Sequence, residues 1–271
     1  MENNNNNSNT RARLDVLMYE RGLAPSRARA RALIEEGKVL VNGATVTSAH
    51  KMVDSNAKIS AEVLPFVSRG GLKLEHALNE FAIDVSGAVC FDAGASTGGF
   101  THCLLKRGAK RVYAVDVGHS QLATEIASDE RVVSIEKTNI RYMEKAPWMD
   151  DITHLVADVS FISLKIILEA LFKLLPDSTV YTCLVKPQFE VGKGNLSKNG
   201  IVISKEAHIE VLNSMCDFVS ANKMRVKGII PSPIKGGDGN REYLIAFSRD
   251  EEEHYVKSKI PFIVKEAFDA E

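Results

Sequence analysis

The stretch FDAGASTGGFT, residues 91–101, constrains this chain more than any other part of its sequence. An apolar run at residues 88–91 leads into Asp92, glycines follow at positions 94, 98 and 99, and a helical pattern comes next. Glycine serves where a backbone takes a positive φ or passes close to a ligand, and a helix N-terminus offers free N–H groups. The pattern therefore predicts a strand, a glycine turn and a helix that together bind a nucleotide cofactor.

The glycine spacing narrows the kind of cofactor. Ser96 stands where the dinucleotide pattern GxGxxG has its middle glycine, and the Lys-Ser/Thr pair of a phosphate-binding P-loop is missing. The loop thus favours a cofactor without a pyrophosphate, of which S-adenosylmethionine is the common one. A tight strand-to-helix turn without any ligand is the alternative, because such turns recur in α/β folds.

Length and composition set the outer bounds. The chain has 271 residues, enough for two domains, and 45% of them are hydrophobic. No apolar run approaches the roughly 20 residues that cross a bilayer, and the N-terminus does not read as a signal peptide. The four cysteines are scattered, so we expect reduced thiols, no metal site and no disulfide. These features favour a cytoplasmic protein, with a monomer as the expected state.

Positive charge is concentrated near the N-terminus. Residues 1–10 form an Asn/Ser-rich tail that we expect to be disordered. Residues 11–58 carry nine Lys/Arg against five Asp/Glu, a local net of +4, whereas residues 59–271 carry −4 by the same count. This asymmetry indicates that the small domain expected at residues 11–64 meets a polyanion.

Within that domain we expect helices at residues 13–21 and 27–36, a hairpin turn at Asn42-Gly43 and short strands around it. The stretch RLDVLMYERGLAPSRARARALIEEGKVLVNG resembles the αL RNA-binding module of a small-subunit ribosomal protein, bacterial tyrosyl-tRNA synthetases and pseudouridine synthases. The resemblance implies that the two-helix face binds RNA backbone; a solvated basic helix face is the alternative. The candidate RNA contacts are Arg11, Arg13, Arg27, Arg29, Arg31 and Lys38.

After a linker at residues 65–70, strand and helix patterns alternate in a domain expected at residues 71–249. Helices are expected at 72–81, 99–107, 120–127, 164–175 and 205–222, strands at 88–92, 111–117, 132–137, 154–159, 180–185, 226–231 and 242–247, and a long loop at 187–203. Such alternation predicts an α/β fold with a parallel sheet. The last two strands are joined by a link too short for a crossover helix, so we expect them to be antiparallel. Seven strands with one reversed partner are typical of Rossmann-like methyltransferases. An acidic, partly helical tail is expected at residues 250–271.

Polar residues at the carboxyl ends of the strands mark the expected ligand crevice. Asp116 ends the second strand at the spacing at which an acid binds a ribose diol, and Asn139 is placed to meet an adenine edge. A loop or helix-capping carboxylate is the alternative for Asp116. The candidate cofactor residues are Asp92, Gly94, Ala95, Ser96, Gly98, Gly99, Phe100, Asp116, Val117, Asn139 and Asp158.

Four further polar residues are candidates for catalysis: Lys73 in the first helix, Asp158 and Lys186 at the ends of two strands, and Glu242 at the start of the last strand. Burying such a group is costly unless its members pair, which favours a function. Ordinary salt bridges are the alternative, mainly for Lys73 and Glu242.

The segments SRGGLKL, FDAGASTGGFT, ADVSFISL, LVKPQFE and GNREYL, in this order after the basic module, resemble the TlyA family. The resemblance spans roughly residues 11–248 and implies an S-adenosylmethionine-dependent rRNA 2'-O-ribose methyltransferase with an FtsJ-like catalytic domain. It also implies that Lys73, Asp158, Lys186 and Glu242 form the catalytic tetrad. The FtsJ loop usually has a proline at the position of Thr97.

A ribose hydroxyl is a poor nucleophile, so the enzyme must align it and remove a proton. Lys186 is the expected base, and burial beside a second cation such as Lys73 favours the neutral amine that this role requires. Asp158 is expected to fix the lysine, and Glu242 to orient Lys73 or the ribose. An RNA-binding protein with a non-catalytic methyltransferase fold, or a membrane-damaging haemolysin as the family label suggests, are the alternative functions. The partner expected from the resemblance is ribosomal RNA or a ribosomal subunit.

Overall fold

The chain, in a computed structural model, divides into two compact units, Met1–Pro65 and Phe66–Glu271. The structure describes residues 11–270 except Pro25, Glu36, Glu62, Val63, Lys193, Asn195, Asp238 and residues 251–256. The tail at residues 1–10, for which we predict disorder, lies outside the described residues. No helix of the described part is long and apolar enough to cross a membrane.

The first unit combines two helices with short strands. In chain order these are β1 (Arg11–Arg13), α1 (Leu14–Glu20), α2 (Arg27–Glu35), β2 (Val39–Val41), β3 (Ala44–Thr45), β4 (Met52–Asp54) and β5 (Ile59–Ala61). β1 pairs with β4, and β2 lies between β3 and β5, all antiparallel. The Asn42-Gly43 turn is confirmed: both residues have positive φ, as a two-residue hairpin turn demands. β1 and β4 escaped prediction because three-residue strands carry too little alternation to show in the sequence.

The second unit continues as α3 (Gly70–Glu80), β6 (Val89–Ala93), α4 (Gly99–Lys106), β7 (Arg111–Val115), α5 (Thr124–Ala127), β8 (Val132–Ile135), β9 (His154–Ala157), α6 (Leu164–Leu174), β10 (Val180–Val185), α7 (Pro187–Glu190), α8 (Lys205–Ala221), β11 (Arg225–Pro231), β12 (Tyr243–Ser248) and α9 (Ile260–Asp269). Its strands form one seven-stranded sheet in the order β11-β12-β10-β9-β6-β7-β8. β12 is antiparallel to both neighbours, and the other pairs are parallel. The predicted α/β methyltransferase-type sheet is confirmed.

Successive strand residues point to opposite faces of this sheet, and each face has its own apolar core. On one face α3 and α4 pack against alternate residues of the central strands, among them Cys90, Val156, Leu184 and Leu244. On the other face α6, α8 and α9 pack against the residues in between, among them Phe91, Leu155, Cys183 and Ile245. Strand order reverses between β6 and β9, and ligands bind at such a switch point in open α/β sheets.

Two expectations differ from the structure in their details. The helix expected at 120–127 begins only at Thr124, because Ser120 has a φ of +52° and turns the chain away from a helix. The loop expected at 187–203 opens with the short helix α7, whose first residue is Pro187. Each difference concerns a segment that borders the carboxyl edge of the sheet.

The helix α9 packs on α8 and β11 and buries Ile260 and Val264 in the core of the second unit. Arg241 ties it down further: its Nε donates to the Ala267 carbonyl at 2.9 Å, and its guanidinium lies 4.1 Å from the centre of the Phe268 ring. This part of the C-terminal segment is therefore built into the core of the unit.

Candidate active site

The glycine loop joins β6 to α4 through three residues of positive φ: Gly94 at +82°, Ser96 at +47° and Gly98 at +89°. A Cβ on Gly94 would lie 2.7 Å from the Asp158 carbonyl oxygen, so only glycine fits there without moving that backbone. Ser96 tolerates its conformation because its N–H donates to Asp116 Oδ2 at 2.8 Å. The loop thus brings the ends of β6, β7 and β9 together.

A cavity of about 470 Å³ opens at this edge of the sheet. Of the predicted cofactor residues, Gly94, Ser96, Asp116, Val117, Asn139 and Asp158 line it. The lining also includes residues that sequence reasoning missed: Val115, Gln121, Thr138, Ile140, Val159, Ser160, Phe161, Ile162 and Ile167. Several of these follow directly on a strand end, which is the signal that could have identified them.

The other predicted cofactor residues, Asp92, Ala95, Gly98, Gly99 and Phe100, do not line this cavity. A Cβ on Gly99 would lie 2.1 Å from Ser68 Oγ, and Phe100 packs in the core beneath α3. A Cβ on Gly98 would meet the side chains of Ile126 and Leu122 at 3.0 Å. Ala95 and Gly98 belong to the loop itself, and Gly99 and Phe100 begin α4, so these residues act on the cavity through the shape of the loop.

Asp92 is completely buried on the α4 side of the sheet. Burial raises its pKa to about 7, although the Thr101 hydroxyl, which donates to Oδ2 at 2.6 Å, favours the carboxylate. Its Oδ1 is buried without a hydrogen-bond partner. With a pKa near 7, the Asp92 carboxyl is partly protonated at neutral pH.

Asp116 and Asn139 both take part in loop hydrogen bonds as well as lining the cavity. Asp116 accepts from Ser96 N–H through Oδ2 and from Gly118 N–H through Oδ1, at 2.8 and 2.7 Å. Asn139 Oδ1 accepts from the Arg141 N–H at 3.1 Å. Each carboxylate oxygen has a second lone pair, so the loop role of Asp116 leaves acceptor capacity for a ligand.

Asp158 and Lys186 form an ion pair at the next strand ends. Lys186 Nζ lies 2.6 Å from Asp158 Oδ1 and donates to Ser160 Oγ at 2.7 Å. The contact with Asp158 is close in distance but lacks the alignment of a hydrogen bond. The side chains are 11% and 23% exposed, so the pair is shielded yet reachable from the cavity that Asp158 lines.

Lys73 and Glu242 form a second pair, which is more deeply buried. Lys73 Nζ donates to Glu242 Oε2 at 2.5 Å, and both side chains are less than a tenth exposed. Lys73 therefore has a carboxylate partner of its own, as Lys186 has in Asp158.

Strand alternation places both pairs on one face. Asp158 and Lys186 directly follow β9 and β10, and Glu242 directly precedes β12. By strand alternation they lie on the face of Val156, Leu184 and Leu244, each two positions away. That face is covered by α3, which carries Lys73. Lys186 also stands one position beyond the pair Val185–Tyr243, next to Glu242. The four predicted catalytic residues thus share one edge and one face of the sheet.

An aromatic pair borders the same edge and was not predicted. Phe161 is 92% exposed, has a φ of +64°, and its ring centre lies 5.3 Å from that of Phe189 in α7. Lys186 Nζ lies 6.0 Å from the Phe189 ring. A bulky residue is rarely held exposed in the left-handed region, and the sequence gives no local sign of it.

In the first unit, the predicted RNA-binding residues lie on β1, on α2 and at the start of β2. Arg11 and Arg13 belong to β1, the three alternating arginines to α2, and Lys38 directly precedes β2. The side chains of Arg27 and Arg31 are about half exposed. Arg13 is held by Asp15 and by the Nδ1 of His50.

Comparison with known proteins follows the same division. Residues 66–249 match the family described as FtsJ-like methyltransferase, and residues 12–59 match the S4 domain. Hemolysin A of Brachyspira hyodysenteriae is 44% identical over 243 residues, covering 87% of this chain and 99% of that protein. The 16S/23S rRNA (cytidine-2'-O)-methyltransferase TlyA of Mycobacterium tuberculosis is 41% identical over 238 residues, covering 87% and 89%. The structure of a candidate hemolysin from Streptococcus thermophilus has a TM-score of 0.75 and 40% identity, covering 97% of this chain and 98% of that one.

Proposed function

The chain belongs to the FtsJ-like methyltransferase family, as its sequence motifs implied, and from this membership we propose that it transfers the methyl group of S-adenosylmethionine to a ribose 2'-hydroxyl of ribosomal RNA. The observation that carries the proposal is the double position of Asp158. It lines the cavity of the glycine loop and pairs with Lys186 at 2.6 Å. A methyl donor in that cavity would therefore lie next to a lysine that can handle a proton.

The residues around the cavity fit the proposed cofactor. Asp116 has acceptor capacity for a ribose diol, Asn139 lies beside it, and the apolar wall of Val159, Ile162 and Ile167 suits a flat base. Gly94 keeps the loop close to the backbone of Asp158. When bound, S-adenosylmethionine supplies a sulfonium methyl group that needs no further activation.

The chain's own contribution is alignment and proton transfer. The attacking O2' forms the new C–O bond, the electrons of the broken S–C bond stay on sulfur, and the hydroxyl proton passes to Lys186 Nζ in its neutral form. Asp158 and Ser160 hold that nitrogen from two sides. Lys73 in α3 and Glu242 before β12 are hydrogen-bonded to each other. Their role is to position the ribose, and they exchange no proton with it. Alignment of this kind contributes up to about 7–11 kcal/mol in favourable systems.

The RNA substrate is inferred from the first unit and the relatives. The S4 match covers the basic module with its local net charge of +4, and a basic surface binds the phosphate backbone. One relative is named as a methyltransferase of cytidine in 16S and 23S rRNA. A 2'-hydroxyl is the group that distinguishes RNA from DNA. The site of action we propose is the cytoplasm, where ribosomes are.

The proposal is tested by tritium transfer from labelled S-adenosylmethionine to ribosomal subunits, with nuclease digestion to locate the label. Lys186→Ala should reduce transfer by roughly 100-fold or more while cofactor affinity, measured by calorimetry, stays within about twofold, because the lysine does not line the cavity. Lys165→Ala is the matched control: it removes a lysine bonded to Ser214 on another surface.

Three outcomes would contradict the proposal. Label on a base atom would refute ribose transfer, and full activity of Lys186→Ala would refute the role of the lysine. Cofactor and RNA binding without any transfer by the wild-type protein would favour the non-catalytic alternative.

A further inference from the structure

A buried acid lies at the centre of the basic unit. The side chain of Asp15, in the first turn of α1, is completely buried although the surrounding module carries a net charge of +4. A carboxylate there weakens the attraction of the module for a polyanion and loses its own hydration. Because the negative charge of Asp15 opposes the binding of a polyanion, its buried position needs a different explanation.

Three guanidiniums surround this carboxylate. Arg13 binds it at two points, with Nε 3.0 Å from Oδ1 and one terminal nitrogen 2.8 Å from Oδ2. Terminal nitrogens of Arg27 and Arg31 lie 3.7 and 3.9 Å from Oδ2. The acid thus gathers side chains from β1 and from α2, two elements separated in sequence by α1.

The arginines themselves stay open to solvent on their outer side. Their side chains are 37%, 55% and 49% exposed, in the order Arg13, Arg27, Arg31. Arg27 and Arg31 are four residues apart and share a helix face, whereas Arg29 lies on a different one. A guanidinium has five N–H groups, so each of the three retains donors that point away from Asp15.

We propose that Asp15 is a positioning residue that holds Arg13, Arg27 and Arg31 as one preorganised cluster for the phosphates of RNA. The inference rests on the proposed function and names the part of the first unit that carries it. Three arginines at this distance repel one another, and the carboxylate offsets that repulsion while fixing their planes. Ordering long side chains before binding removes a cost that the complex otherwise has to meet, and guanidiniums in fixed orientation bind phosphate oxygens at two points. The Arg13 hydrogen bonds lower the pKa of Asp15, so the acid is charged wherever the protein works.

Charge counting and positioning predict opposite results, which makes the inference testable. Asp15→Asn in the full chain removes one negative charge and so raises the net charge of the module by one, from which charge counting predicts tighter RNA binding. Positioning predicts binding about tenfold weaker, measured by filter binding to purified ribosomal RNA at several salt concentrations. Glu20→Gln is the matched control: it changes charge equally at an exposed site of the same helix, and RNA affinity should stay equal or rise slightly.

A double-mutant comparison adds a readout that a purely structural residue would not give. Arg31→Gln should weaken RNA binding in the wild-type background but much less in the Asp15→Asn background, because its arginine is already disordered there. Asp15→Glu, which keeps the charge but moves it by one methylene, should recover part of the affinity. Cofactor binding by the second unit should be unchanged in every variant.

A measurement on the wild-type protein tests the cluster without any substitution. If Asp15→Asn unfolds the first unit, nitrogen-15 relaxation of arginine Nε–Hε groups in the wild-type protein decides: the three clustered arginines should be more ordered than Arg29. Equal mobility of all four, or RNA binding by Asp15→Asn as tight as wild type, would overturn the inference. A wild-type protein that does not bind ribosomal RNA at all would instead refute the proposed function.

Discussion

Asp158 lines the cavity of the glycine loop, and its Oδ1 lies 2.6 Å from Lys186 Nζ, so it connects the candidate cofactor site with the candidate base. Its backbone takes part as well, because the carbonyl oxygen of Asp158 is the atom that leaves no room for a Cβ at Gly94. The loop, the cavity and the ion pair therefore share one residue, and a substitution in any of them should alter the geometry of the other two.

Asp158→Asn should impair both cofactor binding and methyl transfer, in contrast to Lys186→Ala. The amide keeps the size of the side chain but removes the charge that holds the lysine, so transfer should fall by about 100-fold and cofactor affinity by several-fold. Calorimetry and tritium transfer measure the two effects separately. Asp177→Asn, which breaks the more exposed pair with Arg249, is the control. Unchanged cofactor affinity in Asp158→Asn would show that the cavity is not the cofactor site.

Gly94→Ala should disturb the site through Asp158. The new Cβ would lie 2.7 Å from the Asp158 carbonyl oxygen, so the end of β9 has to move. Cofactor affinity and methyl transfer should therefore both fall. Gly87→Ala separates this effect from backbone strain: Gly87 also has a positive φ, +69°, but nothing lies within 4 Å of its added Cβ. That control should lose about 1–2 kcal/mol of stability and retain transfer. Equal loss of activity in both variants would attribute the effect to strain alone.

Replacing only one partner of the Lys73–Glu242 pair should strongly destabilise the protein. Removing either partner leaves an uncompensated buried charge, which costs about 3–5 kcal/mol, so Glu242→Leu alone should lower the free energy of unfolding strongly. The double variant Lys73→Met/Glu242→Leu should recover most of the stability and remain inactive. Denaturant unfolding measures this. Lys265→Ala, at the exposed i,i+4 pair with Asp269, is the control and should leave the free energy of unfolding nearly unchanged. Recovery of activity in the double variant would remove this pair from the mechanism.

Asp92 should make stability fall as pH rises. Because burial raises its pKa to about 7, its contribution is fully present below about 3.8, the unfolded value, and is lost as the pH rises through 7. Asp92→Asn, which cannot ionise, should therefore gain stability relative to wild type between pH 4 and pH 7, by a total on the order of 1–4 kcal/mol. Unfolding curves at a series of pH values measure the difference between the two proteins. A difference that does not change with pH would contradict the raised pKa.

Phe161 should bind the target nucleotide by stacking. A base stacked on an aromatic ring contributes about 1–3 kcal/mol, so Phe161→Gly should raise the KM for ribosomal RNA by tenfold or more. Stability should hold or rise, because glycine accepts the φ of +64° that strains phenylalanine. Phe262→Ala, which removes another ring that is 74% exposed, should leave KM unchanged. An unaltered KM in Phe161→Gly would exclude the stacking role.

Local sequence determined the order of elements and the chemistry of the strand ends. Neighbouring residues determine three features: apolar runs of strand length, glycines at positive φ, and polar residues directly after each strand. These features follow from backbone sterics and from the alternation of strand and helix. Gly94, Asp116, Asp158 and Lys186 could be found this way because each stands at a fixed offset from an apolar run. The antiparallel last strand followed from the length of one connection.

Only the tertiary structure determines which charged side chains form ion pairs. Lys73 and Glu242 are separated by 169 positions and meet only because α3 covers the face to which β12 points. Asp92, next to the glycines in sequence, does not line the cavity because it is buried against α4, whose Thr101 hydroxyl donates to it. The exposure of Phe161 and the burial of Asp15 among three arginines likewise depend on packing between distant segments. Partners, burial and charge state are properties of the assembled sheet and its helices, and no window of neighbouring residues contains them.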